Sequence, residues 1–136
     1  MPGMIVRLVS KQKFDFSQLA INQTQDVVAA KAVDISSYRE GTVLIRLHAS
    51  TMAASQILRV VAKLEAPTSE DPSTDFIAAS ETVSSDIINT TAAGTLVALA
   101  LPANAGAWLR VLVRGIMPAS VATFNATLSI DLSLKS

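Results

Sequence analysis

The chain has 136 residues, with eleven basic and eleven acidic side chains, one histidine and no cysteine. The missing cysteines exclude disulfide frameworks, thiolate zinc sites and cysteine nucleophiles. The balanced charge argues against a surface given over to nucleic acid or anionic membrane. Half of the residues are hydrophobic and 16% are charged, which calls for a generous core or an outside covered in part by partners.

The length fits one domain over residues 1–136. The opening M-P-G-M-I-V-R-L-V-S-K has its apolar run broken by Arg7 and reads as no export signal. The longest apolar stretch, Leu96 to Ala103, is far short of a bilayer span and contains Pro102.

Met4 to Val9 and the following K-Q-K-F-D-F-S-Q-L both read as strand, placed at a sheet edge where charge discourages stray pairing. Asp26 to Ile35 fits a strand or an alanine-rich helical stretch, and strand is the reading adopted. Gly41 closes a turn, and Gly41 to Ser50 then alternates. Val43, Ile45, Leu47 and Ala49 share one side, with Thr42, Leu44, Arg46 and His48 on the other. Ile57 to Ala66 matches both periods, and its β-branched residues favour strand.

Pro67 to Asp75 is a loop, Phe76 to Val83 a weaker strand, and S-S-D and N-T-T-A-A-G are turn material. Thr95 to Leu101 is an apolar run expected to be buried on both faces, and Pro102 to Gly106 breaks it. Ala107 to Ile116 alternates again, with Leu109, Val111 and Val113 inward and Trp108, Arg110, Leu112 and Arg114 outward. The two runs and their break read as a hairpin.

The clearest strand is the last, Ala122 to Lys135. Phe124, Ala126, Leu128, Ile130, Leu132 and Leu134 occupy its even positions, and every odd position from Thr123 to Ser133 is polar. At the ~100° step of a helix these apolar residues would spread round the whole circumference, so only a strand can bury them together. Some eight strands with turns between them and no strong helix predict an all-β fold: an antiparallel β-sandwich of jelly-roll type.

Chemistry is sparse. His48 has no Ser or Asp partner that spacing alone can assign, and one histidine cannot build a cupin-type metal site. Glu70, Asp71 and Asp75 cluster in the acidic loop and could hold a hard cation, but their spacing matches no calcium site, and solubility is the reading adopted. Arg7, Lys11 and Lys13 form a basic run that lacks a glycine cradle or aromatic platform and reads as a solvated strand edge. Asn22, Asn89 and Asn125 each open an N-x-T triplet, which matters only in a secretory setting. No catalytic residue, metal ligand or cofactor is expected.

The most suggestive group is Trp108, Arg110, Leu112 and Arg114, because Trp and Arg are enriched where proteins meet proteins. The competing reading makes Trp108 an end cap of the sandwich and the arginines ordinary soluble residues.

Five segments carry a resemblance: F-D-F-S-Q, V-V-A-A-K-A-V-D-I-S, R-E-G, L-P-A-N-A-G-A-W-L-R-V-L-V and F-N-A-T-L. In these the chain resembles the small capsid cement proteins of tailed bacteriophages, of the type known from a Bordetella phage. The resemblance implies a non-enzymatic jelly roll on the outer surface of the virion head, assembled in the host cytoplasm. It further implies association in pairs as a homodimer and binding to the major capsid protein, with no direct nucleic acid and no membrane. It carries over no functional residue. The alternative is a carbohydrate- or ligand-binding β-sandwich of a phage tail or surface protein, against which the single Trp and single Tyr count.

Overall fold

The computed structural model describes residues 3–35, 37–65, 83–102, 108–118 and 123–135. They form eight strands: β1 (Met4–Asp15), β2 (Thr24–Asp34), β3 (Glu40–Thr51), β4 (Ile57–Glu65), β5 (Val83–Ile87), β6 (Leu96–Ala100), β7 (Trp108–Ile116) and β8 (Asn125–Lys135). Two four-stranded antiparallel sheets result, in the orders β1-β8-β3-β6 and β2-β7-β4-β5. The pairs nest, β1 with β8, β2 with β7, β3 with β6 and β4 with β5. Such nesting is one long antiparallel ribbon rolled into a sandwich, so the fold is the expected jelly roll.

The alternation of β8 explains its place. Phe124, Ala126, Leu128, Ile130 and Leu132 have no exposed surface and Leu134 has 2%, and β8 lies between β1 and β3 with partners on both sides. Facing it from the other sheet are Leu58, Val60 and Ala62 of β4 and Leu109, Val111 and Val113 of β7, all fully buried. Burying a large aliphatic side chain is worth about 1.5–3 kcal/mol, so the inner faces supply most of the drive to fold.

One end of the core is closed by aromatic packing. Phe16 and Phe124 meet with ring centroids 5.5 Å apart and planes tilted at 53°, within the separation that favours aromatic pairs. Beneath them Gly115 is fully dictated by space, since a Cβ there would overlap the Phe16 ring.

Four expectations need correction. Trp108 to Ile116 does not form a hairpin with the preceding apolar run: β6 pairs with β3, whereas β7 pairs with β2 and β4. Alternation and a break specify strands, and a jelly roll sends the connection across to the other sheet. The same run is not buried on both faces, because β6 is an edge strand with Val97 and Leu99 half-buried and Leu96 52% exposed.

Ser84 to Asp86 is not a turn but the middle of β5, fixed by Leu58 opposite Ile87 and by the Arg59–Asp86 ion pair. Ala49 lies exposed and not beside Leu47, because β3 bulges between these two residues; one extra residue reverses every later side chain. The acidic loop with Glu70, Asp71 and Asp75 and nearly all of the strand expected from Phe76 lie outside the described residues.

Two substitutions test this packing. Leu128→Asp, an unpaired carboxylate on the buried face, is expected to abolish cooperative thermal unfolding near room temperature, while Thr127→Asp beside it stays within about 1 kcal/mol of the parent; equal stability would mean that the faces are reversed. Gly115→Ala is expected to cost about 1–3 kcal/mol by overpacking, and adding Phe16→Leu should return part of that loss in a denaturant titration.

Candidate functional site

Two outer faces are available, one on each sheet. On β2-β7-β4-β5, Trp108, Arg110, Leu112 and Arg114 point outward from β7, as their alternation with buried Leu109, Val111 and Val113 requires. The surface they make is less open than the sequence implied. Leu112 is only 6% exposed, and its cross-strand neighbour Val61 is fully buried. Trp108, Arg110 and Arg114 are half-buried.

A row of charges explains Arg114. Asp26, Arg114, Arg59 and Asp86 lie opposite one another on β2, β7, β4 and β5. Arg114 donates from Nε to Asp26 Oδ1 at 2.7 Å and from Nη2 to Oδ2 at 3.2 Å. Arg59 grips Asp86 in the same two-pronged way, at 2.7 and 3.2 Å. Each pair separates the two arginines' charges into neutral units. Part-exposed pairs of this kind add at most about 1 kcal/mol each, so the row fixes register more than it stabilises.

The opposite outer face holds a feature that the sequence did not announce. Ser129 of β8, read from its pattern as a wet-face residue, is 5% exposed. Both flanking strands are irregular around it. On β1 the register slips between Val9 and Gln12, and on β3 between Leu47 and Ala49. The first slip carries Lys11, whose φ of 45° is left-handed although it is not glycine; the second carries His48. Lys11 donates its backbone N–H to Ser129 Oγ at 3.0 Å, and His48 Nε2 lies 2.7 Å from the same oxygen.

Around this node is a pocket of about 300 Å³ lined by Arg7, Lys11, Arg46, His48, Ser129 and Asp131, with Leu44 and Leu96 as apolar walls. Arg7 is bound to Asp131, directly opposite it on β8, through Nε and Nη2. Its basic neighbours Lys11 and Arg46 have no carboxylate partner among the described residues. The basic run noted in the sequence is thus divided: Arg7 and Lys11 line this pocket, and Lys13 is exposed farther along β1.

A serine beside a histidine invites comparison with hydrolytic sites. Such a nucleophile has to be presented to substrate, with its base oriented by a third group and donors ready for the oxyanion. Ser129 is buried and its oxygen already accepts the Lys11 N–H, so the contact serves to hold two bulges in place. Among the described residues no three of His, Cys, Asp or Glu gather as a metal site.

No family model matches the chain, and no curated protein matches it. Solved structures do. A chain in a structure of infectious bursal disease virus, Gx strain, aligns over 98% of this chain with a TM-score of 0.56 and 11% identity. A chain of Desmodium yellow mottle tymovirus aligns over 100% of this chain and 89% of its own length, at 11% identity and a TM-score of 0.36. The match to the bursal disease virus chain shows a shared fold. This chain spans 31% of that larger one.

Ser129→Ala removes the acceptor of a strained backbone N–H and the partner of His48. The expected cost is about 1–3 kcal/mol, with faster hydrogen exchange at the Lys11 amide. An unchanged exchange rate would show that the β1 bulge stands without Ser129.

Proposed function

We propose that this chain is a structural, non-enzymatic protein of a viral capsid, a cement protein that binds the outer surface of a tailed-phage head and clamps neighbouring major capsid protein subunits. The observation that carries the reading is the nested eight-strand jelly roll, whose fold is shared over 98% of the chain with a chain in the structure of infectious bursal disease virus. The five segments that resemble phage cement proteins point the same way and supply the finer part: the head surface, the pairing and the major capsid protein as partner.

In this reading the face of β7 meets the shell or a second copy of the chain. Trp108 and Arg110 form its contact surface, Leu112 supports them from below, and Arg114 is held at its end by Asp26. A flat ring with guanidiniums around it is the make-up of an interface centre. Copies repeated over a shell would multiply a weak contact, because each tether raises the effective concentration of the next.

Heads assembled without this chain provide the test. Purified wild-type protein is expected to co-sediment with them and to raise their thermal disruption temperature. Trp108→Ala is expected to fold, by far-UV spectrum and thermal transition, yet to lose about 2 kcal/mol of binding. Failure of the wild type to bind heads would overturn the cement reading; full binding by Trp108→Ala would move the contact off β7.

A further inference from the structure

We propose that the pocket on the outer face of β1-β8-β3-β6 is a docking site for an acidic side chain of a protein partner. Arg46 and Lys11 take the carboxylate, and Leu44 and Leu96 seat the aliphatic part of the same segment. The proposal does not rest on the capsid reading.

Charge bookkeeping across the strands marks Arg46. Arg7, Arg59 and Arg114 each face a carboxylate on a neighbouring strand, namely Asp131, Asp86 and Asp26. Arg46 instead faces Leu96 on β6 and Ser129 on β8. Within the pocket three fixed cations, Arg7, Lys11 and Arg46, therefore meet one carboxylate, Asp131, and Arg7 already occupies it. The chain as a whole carries no net charge, so this excess is local.

The backbone supports the same assignment. Bulges re-aim side chains and are common beside functional sites, and here two of them converge on one buried hydroxyl from opposite sides. A left-handed lysine costs free energy that its surroundings must offset, and residues in such conformations gather at binding sites. Ser129 and His48 are positioning residues: they hold the bulges, while Lys11 and Arg46 supply the charge.

The walls decide between occupants. Leu96 is 52% exposed and Leu44 half-buried, which suits an acidic residue with apolar neighbours better than a fully hydrated inorganic anion. A nucleic-acid backbone needs a track of cations or stacking aromatics, and this pocket is a single spot with no Phe, Tyr or Trp in its lining. A guanidinium and a carboxylate can form parallel charge-assisted hydrogen bonds, giving the site a preferred geometry.

The test titrates ¹⁵N-labelled protein with the blocked peptide acetyl-Leu-Glu-Leu-amide, with its Gln analogue, and with inorganic phosphate at matched ionic strength. The Glu peptide is expected to shift the amides of Lys11, Arg46, Leu96 and Ser129 saturably, and the other two probes are not. Arg46→Gln, at an exposed position, should keep the wild-type thermal transition and weaken peptide binding at least tenfold; Lys11→Gln should weaken it as well, giving a second reading if either variant folds poorly. Absent saturation at these amides, equal shifts from the Gln peptide, equal shifts from phosphate, or unaltered binding by both variants would each overturn the proposal.

Discussion

The structure depends on the pairing of the chain's last strand with its first. β8 sits between β1 and β3, so the sheet β1-β8-β3-β6 has no continuous interior until residues 125–135 are in place. Its inward side chains are also the floor on which β4 and β7 of the other sheet rest. A strand in this position must be buried on one face along its whole length, and the strict alternation from Phe124 to Leu134 is the sequence that satisfies it. The demand is severe because β4–β5 is the only pairing between consecutive strands among those described. Every other pairing closes a longer loop, whose entropy must be lost before its contacts form.

This constraint also explains which parts of the fold were legible. A period of two is a local property: it located β3 and β7 within a residue and β8 with a start three residues early, while β4, which matched both periods, was placed by its β-branched residues. Partner choice is not local. The run from Leu96 to Gly115 contains two strands and a break whether it makes a hairpin or crosses between sheets, and nothing in its residues separates the two. Edge position is equally hidden. Leu96 to Ala100 is apolar enough to be central, yet it has a neighbour on one side only, and three of its five residues are exposed. For β5 the difficulty is reversed: V-S-S-D-I has poor strand composition and is held by what stands across from it, Leu58 and Arg59.

The functional faces show the same division. Trp108, Arg110, Leu112 and Arg114 were visible as a group because one strand carries them at alternate positions. Their cross-strand neighbours were not visible, and those neighbours decide that Leu112 is covered and that Arg114 is neutralised by Asp26. The pocket was the harder case. Its polar residues come from positions 7, 11, 46, 48, 129 and 131, on three strands that meet only when the roll closes. The bulges that shape it left no sequence mark either. A left-handed bulge residue is often glycine, but here it is Lys11, and the other irregularity is at His48. Ser129 occupied an odd position in β8 and so looked solvated; the bulges bring Lys11 and His48 over it and bury it.

The two outer faces thus use charge in opposite ways. On β2-β7-β4-β5 the row Asp26, Arg114, Arg59, Asp86 is complete, with each guanidinium matched by a carboxylate one strand away. A partner meeting this row gains little from charge, and the contact falls to Trp108 and Arg110 toward the other end of β7. On β1-β8-β3-β6 the matching stops after Arg7 and Asp131, and Arg46 is left facing a leucine and a serine. Replacing Leu96 by an acid would have completed the row at no cost to the core, since Leu96 points away from it and is largely exposed. A carboxylate brought by another molecule would find two cations uncompensated and a surface already shaped by strain in the backbone. Electrostatic specificity in a chain with no net charge therefore comes from where the pairing is left unfinished.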